Sequence, residues 1–223
     1  MTNRFKTMVS WSSGKDSAWL VHVLRSSMPE YAVAAVLTTI NRDADRVAMH
    51  AVRTQVLEAQ ADALGLPLLK VPIPSPCPNE AYERAMAEAV EAAVRDGFTH
   101  VAFGDLFLED VRRYREERLA GTGLTPIFPL FGSDTAALAQ TMIAGGLRAK
   151  ITCVDPKQLH PSFAGREFDS QLLADLPPHA DPCAERGEFH TCAYAGPMFR
   201  HPLPVQTGVV VERDGFVFCD LSI

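Results

Sequence analysis

Short apolar runs alternate with longer mixed segments through the first half of the chain. Lys6–Ser10 reads as a short buried strand, and Asp16–Arg25 as a helix with Leu20, Val21 and Leu24 on one side. Tyr31–Thr39, rich in Val, Ala and Thr, predicts a second strand covered on both faces. Val47–Leu64 sets Val52, Val56, Ala59 and Ala63 at helical spacing, with Gly65 as the stop. Leu68–Ile73 predicts a third strand. Asn79–Arg95 predicts a helix capped by Asn79, with Tyr82, Met86 and Val90 as its apolar stripe and Gly97 at its end. Thr99–Phe103 predicts a fourth strand. Strand and helix alternating at this interval give βαβ units, so the expected fold class is α/β, a doubly wound parallel sheet.

The pattern then changes. Glu109–Ala120 predicts a charged helix with Glu109/Arg113 and Arg112/Glu116 four apart, and its arginines read as a salt-bridged solvent face. Ser133–Ala144 predicts a helix capped by Ser133, and Leu147–Val154 a strand. Asp155–Gly187 is punctuated by Pro and Gly around a short helix at Asp169–Leu176. Phe189–Tyr194, Val205–Glu212 and Phe216–Leu221 predict short strands, the last two joined by a hairpin turn at Asp214-Gly215. A soft boundary at Gly121–Pro129 divides a main domain, residues 1–125, from a smaller C-terminal α+β region, residues 126–223.

Ligands of a doubly wound sheet sit beyond the carboxyl ends of its strands. The polar segments fall there: Ser10–Ser17, Thr38–Asp45, Pro74–Asn79 and Gly104–Asp110 each leave a predicted strand. In the first, Gly14 permits a tight turn into a helix whose leading N–H groups and dipole favour an anion. Lys15 adds a positive charge, and Ser12, Ser13 and Ser17 add hydroxyl donors. A phosphate is the natural occupant, and Asp16 makes sense beside a phosphate-bound Mg²⁺. The plain alternative is a polar strand–helix turn with no ligand.

Bulk composition limits the rest. The 223 residues are 47% hydrophobic and carry a formal net charge of -6, which suits a globular protein with a sizeable core and disfavours broad capture of nucleic acid or anionic membrane. No apolar run spans a bilayer, and Met1–Ser10 lacks a signal-peptide layout. The five cysteines are scattered without a C-x-x-C pair, reading as reduced thiols and a cytoplasmic location.

The loop Ser12-Ser13-Gly14-Lys15-Asp16-Ser17 resembles the SGGKDS loop of the ATP pyrophosphatases, with Ser13 at the usual second glycine. Gly104-Asp105-Leu106 followed by Glu109-Asp110-Val111-Arg112 is similar to the GD-(x)n-ED-x-R block of the diphthine–ammonia ligase family. Ala184–Thr191 resembles that family's GExGE(F/Y) block. Here Ala184 replaces the first glycine and His190-Thr191 follow Phe189, where family members that make diphthamide carry Glu-Thr. The HT ending, with Pro76-Cys77-Pro78-Asn79-Glu80, looks like a bacterial branch, part of which is associated with cobalamin salvage.

The resemblance implies an adenine-nucleotide α-hydrolase fold and an ATP-dependent, amide-forming ligase. A carboxylate is adenylated, pyrophosphate leaves, and ammonia or an amine displaces AMP. It implies ATP and Mg²⁺ as cofactors, with Asp16 on the metal. Ser10, Ser12, Ser13, Gly14, Lys15, Asp16, Ser17, Thr38 and Gly104 would bind the nucleotide. Lys15, Asp105, Glu185, Glu188 and His190 would carry the chemistry. The expected partners are ATP, a carboxylate-bearing substrate and ammonia or an amine, with a homodimer allowed and no membrane or nucleic acid. Adenylation in cobalamin salvage, tRNA modification, and a nucleotide sensor without turnover remain alternatives. Cys77 and His50 lie near the ligand rim, each with a surface role as the plain reading. His179, Cys183, His190 and Cys192 match no usual zinc spacing.

Overall fold

The computed structural model describes residues 4–42, 46–47 and 52–223. The main sheet is built on β1 (Phe5–Ser10), which pairs in parallel with β2 (Tyr31–Asn41) on one side and β5 (His100–Ala102) on the other. Outside β2 runs β4 (Leu68–Ile73), and outside β5 runs β6 (Thr125–Ile127), both parallel. Chain order therefore reverses between β1 and β5, and the loops leaving those strands flank the switch point. The doubly wound α/β expectation holds, with a short antiparallel addition, β3 (Arg46–Val47), on the end of β2.

Consecutive strand residues face opposite ways, so Val9, Val36 and Ala102 enter one core while Met8, Leu37 and Val101 enter another. The first core is large. It holds α1 (Lys15–Ser27), α2 (Thr54–Leu64) and much of the C-terminal region. The second lies under α3 (Asn79–Arg95) and α4 (Glu109–Leu119) and is thin: Ala93 is the buried residue of α3, while Tyr82, Met86 and Val90 stay half-buried.

Several boundaries move. The second helix starts at Thr54, because Arg46 and Val47 pair with Asn41 and Ile40 instead. His50 lies outside the described residues. Pro78, not Asn79, precedes α3, its φ of -61° being set by the pyrrolidine ring. Asp134, not Ser133, caps α5 (Thr135–Ala144), its carboxylate accepting from Ala137 N at 2.8 Å. The Asp214-Gly215 turn has φ of 53° and 80°, the left-handed pair a two-residue hairpin needs.

The C-terminal region forms a second, antiparallel sheet in the order β8 (Phe189–Ala195), β7 (Arg148–Val154), β10 (Phe216–Ser222), β9 (Gln206–Arg213). Its edge β8 lies along the loop between β1 and α1. Ala193 N donates to Ser13 O at 2.9 Å. From α2, the buried Gln60 side chain completes the join: Nε2 donates to Ser13 O at 3.0 Å and Ala193 O at 2.6 Å, and Oε1 accepts from Trp11 Nε1 at 3.1 Å. Among the described residues no helix is long and apolar enough to cross a membrane.

Ser13 turns the loop with φ 68°, fully buried, and its Oγ has no hydrogen-bond partner among the described residues. Ser at this φ costs roughly 1–2 kcal/mol that glycine would avoid. Ser13→Gly should therefore raise stability by about 1 kcal/mol, relieving the turn and the unpaired hydroxyl against some lost packing. Gln60→Ala should lower it by about 2–3 kcal/mol, since the Trp11 indole N–H and the Ala193 carbonyl lose the buried amide that pairs them and Ser13 O loses one of its two donors. Urea denaturation of both variants checks the pair; a less stable Ser13→Gly would reject the strained turn.

Candidate active site

Gly14 precedes α1 in extended conformation, with no side chain capping the helix. The turn is internally braced: Ser17 Oγ donates to Gly14 O at 3.0 Å, and Gly14 N donates to Ser12 Oγ at 3.3 Å. Lys15 N donates to Thr191 Oγ1 of β8 at 3.1 Å. The loop donors expected to meet a phosphate are thus partly engaged by the protein itself, and β8 is as much a part of the loop's support as α1.

Lys15 is 2% exposed. Its Nζ donates to Asp16 Oδ2 at 2.8 Å and to the Cys183 carbonyl, with the Phe168 and Phe189 rings 5.6 and 5.8 Å away. Burial is the largest influence and opposes the ammonium charge, but Asp16, Cys183 and Glu185 together outweigh it and hold the Lys15 pKa above its usual value. Burial also raises the Asp16 pKa, against the pull of Lys15. Asp16 Oδ1 is covered and has no hydrogen-bond partner among the described residues. An orphaned carboxylate oxygen is what a cation would satisfy. Among the described residues no three acidic, His or Cys side chains converge as a ready metal cage. A Mg²⁺ carried by phosphates, with one carboxylate and water, suits such a site.

A cavity of about 260 Å³ opens on this turn. Ser10, Ser12, Lys15, Asp16 and Ser17 line one wall; Gly104 and Asp105 come from the loop after β5, and Glu185 and His190 from the C-terminal region. Ser13 and Gly14 shape the turn without lining this cavity, and Thr38 lines a neighbouring one while donating to Trp11 O at 2.8 Å. Gly104 has a packing reason to be glycine: a Cβ there would meet the Asp16 carbonyl carbon at 3.2 Å and Ser17 N at 3.3 Å.

The acidic residues separate by environment. Asp105 accepts from Arg115 Nε at 2.6 Å and Nη2 at 3.0 Å, a bidentate pair. Glu185 Oε1 accepts from Leu106 N at 2.7 Å and Phe107 N at 3.4 Å, tying the C-terminal region to the loop after β5. Burial raises the Glu185 pKa, with those amides pulling the other way. Glu188 is 1% exposed and does not line the cavity. Its carboxylate accepts from Asp181 N at 2.8 Å and Arg186 N at 3.1 Å, which folds the 181–188 loop and presents the Cys183 carbonyl to Lys15. Within that loop Ala184 takes φ 58°, a second non-glycine in the left-handed region beside the Lys15 site.

His190 is half-buried on the cavity wall. Burial, then the charge of Lys15, lowers its pKa to about 4, so it is neutral at neutral pH and a weak base. All five cysteines are free, and burial pushes the Cys183 thiol up to about 12, leaving it inert. Cys77 lies on the α3 side and does not line this cavity. Two contributors escape the sequence pattern. Gln60 is a lone amide among the buried residues of α2, a signal the apolar spacing hides. Arg115 lines the cavity, whereas charge alternation along α4 assigns it to a solvent face; Arg112, by contrast, pairs with Glu116 at 2.9 Å.

The chain matches two family models, the diphthamide synthase N-terminal domain over residues 5–124 and the diphthamide synthase C-terminal domain over residues 134–219. No curated protein matches it. The two models take in the parallel sheet except its edge strand β6, the loop from Ser12 to Ser17, and most of the antiparallel sheet. This chain therefore belongs to the diphthamide synthase family and is an ATP-dependent ligase of the diphthine–ammonia type.

Proposed function

We propose that the cavity at Lys15 holds the phosphates of ATP while a substrate carboxylate is adenylated, and that the amide forms in the same place. The observation that carries this reading is the position of the buried Lys15–Asp16 pair. It stands at the start of α1, at the sheet's switch point, facing Asp105, Glu185 and His190 across one cavity.

A carboxylate oxygen attacks the α-phosphorus, and the bond from that phosphorus to the α–β bridging oxygen breaks. Pyrophosphate leaves with the electron pair. Negative charge grows on the leaving group, where Lys15, the Ser12 and Ser17 hydroxyls and the helix N-terminus would stabilise it. The Lys15 ammonium would exchange part of its contact with the Cys183 carbonyl for a phosphate oxygen. Bound Mg²⁺ would supply charge neutralisation on the phosphates, and Asp16 Oδ1 is the atom available to hold it.

The nitrogen of ammonia or an amine then attacks the acyl carbon and AMP departs. His190, neutral and with its pKa lowered to about 4, is a weak base and serves here as a polar wall group, leaving the proton that nitrogen loses to water. Glu185 and Asp105 border the acceptor side, and Glu188 acts by holding the loop that positions Lys15. The free thiols fit the cell interior as the place of work. The division near residue 125 falls within β6, the edge strand of the main sheet, and the segment after that strand is the part that closes over the Ser12–Ser17 loop.

Incubation with ATP, Mg²⁺, ammonium and a panel of carboxylic acids should yield AMP and pyrophosphate. Lys15→Ala should lower that turnover by about 10²–10³-fold, the range for losing a preorganised charge at a developing anion. Nucleotide binding without any AMP would favour a sensor, and an unchanged Lys15→Ala rate would remove the loop from the reaction.

A further inference from the structure

The loop's cavity is one of three that meet. A second, of about 400 Å³, lies at the carboxyl ends of β1, β2 and β4, with Ser10, Ser12 and Thr38 on its wall. A third, of about 470 Å³, runs between α3 and α4 and is walled by Tyr82, Met86, Val90, Tyr114 and Leu119. Phe103 and Arg115 line all three.

The third cavity exists because α3 is not packed down. Its Tyr82, Met86 and Val90 stripe has the spacing of a core face, yet all three residues remain half-buried. Leaving such a stripe partly uncovered forfeits hydrophobic stabilisation in proportion to the area left open. Arg118 and Glu83 on its wall pair with each other, and a volume in this range, mostly apolar and reaching one charged group shared with the loop's cavity, has the form of a small-molecule site.

That charged group is Arg115. Its guanidinium lies 4.3 Å from the Phe103 ring centroid, and Asp105 occupies the edge formed by Nε and Nη2. The fork has five N–H donors, so the side carrying Nη1 is left for a second oxyanion. A carboxylate approaching ATP must come close to a polyanion, which requires a local cation. Lys15 and Arg115 are the permanently charged cations lining the loop's cavity, and Lys15 is held by Asp16 and the Cys183 carbonyl.

We propose that the groove between α3 and α4 is the acceptor site. It takes a monocarboxylic acid with an apolar body, and Arg115 receives the carboxylate at the inner end. The apolar wall of Met86, Val90 and Leu119 disfavours an acid with a second carboxylate, which would lose its hydration there. The proposal rests on the adenylating reading above, since it names the acid that reading requires.

Ligand-observed NMR without nucleotide tests it, using 4-phenylbutyrate, 4-phenylbutan-1-ol and glutarate as probes. Phenylbutyrate should bind at least tenfold more tightly than the alcohol, and glutarate should not bind. Arg115→Gln should erase the preference for the acid, and Arg115→Lys should keep part of it. Ala87→Trp places a ring in the groove from an exposed position outside the core, and should weaken phenylbutyrate at least tenfold. Circular dichroism melting identifies any variant that fails to fold, and the other then decides. Equal affinity for acid and alcohol, no phenylbutyrate binding at millimolar concentration, or binding untouched by Ala87→Trp would overturn the proposal. Because the assay contains no ATP, groove binding without AMP formation in the turnover assay would fault the ligase reading alone.

Discussion

A lysine ammonium buried at the first turn of a helix is costly unless its surroundings answer its charge, and much of this structure is that answer. Lys15 has Asp16 beside it and the Cys183 carbonyl before it. The carbonyl is where it is because Glu188 gathers the 181–188 loop through two backbone amides. Thr191 and Ala193 of β8 hold the turn from behind, and Gln60 locks that strand to Ser13. Removing one partner of a fully buried pair costs about 3–5 kcal/mol; here the figure is lower, because the Asp16 side chain keeps 26% of its surface open. The antiparallel sheet is thus a structural half of the Lys15 site.

Much of this was legible in the chain. The alternation of apolar runs predicts the parallel sheet, and Ser12–Ser17 predicts the turn into α1 on which the cavity opens. The misplaced details share a physical cause, in that local pattern does not register partners distant in sequence. The apolar spacing of Val52 and Val56 does not reveal that Val47 pairs with Ile40. Ser133 and Asp134 are both competent caps, and only the path of the chain selects Asp134. The strand β6 contains Pro126, which lowers its propensity, yet it survives at the sheet's edge, where a missing N–H is tolerated.

The site divides in the same way. Lys15, Asp16, Asp105, Glu185 and His190 are brought to one cavity as their blocks suggest. Glu188 belongs to the same block and yet folds inward; in a sequence a loop-forming carboxylate cannot be told from a reacting one. Arg115 and Asp105 are 10 residues apart, off the helical period, so their ion pair has no signature in charge spacing. The departures at Ser13 and Ala184 put non-glycine residues at positive φ on either side of Lys15. That strain sits where the two halves meet, and the Gln60, Thr191 and Glu188 contacts sustain it.

The proposed reaction is cleavage of ATP between the α- and β-phosphates under attack by a carboxylate in this cavity. The most direct measurement is incorporation of radiolabelled pyrophosphate into ATP, with Mg²⁺ present, ammonia absent, and a panel of monocarboxylic acids added in turn. The account predicts label in ATP that depends on the acid and stops when ammonium draws the adenylate forward. Label that appears equally without any acid, or turnover that yields ADP and orthophosphate, would contradict it.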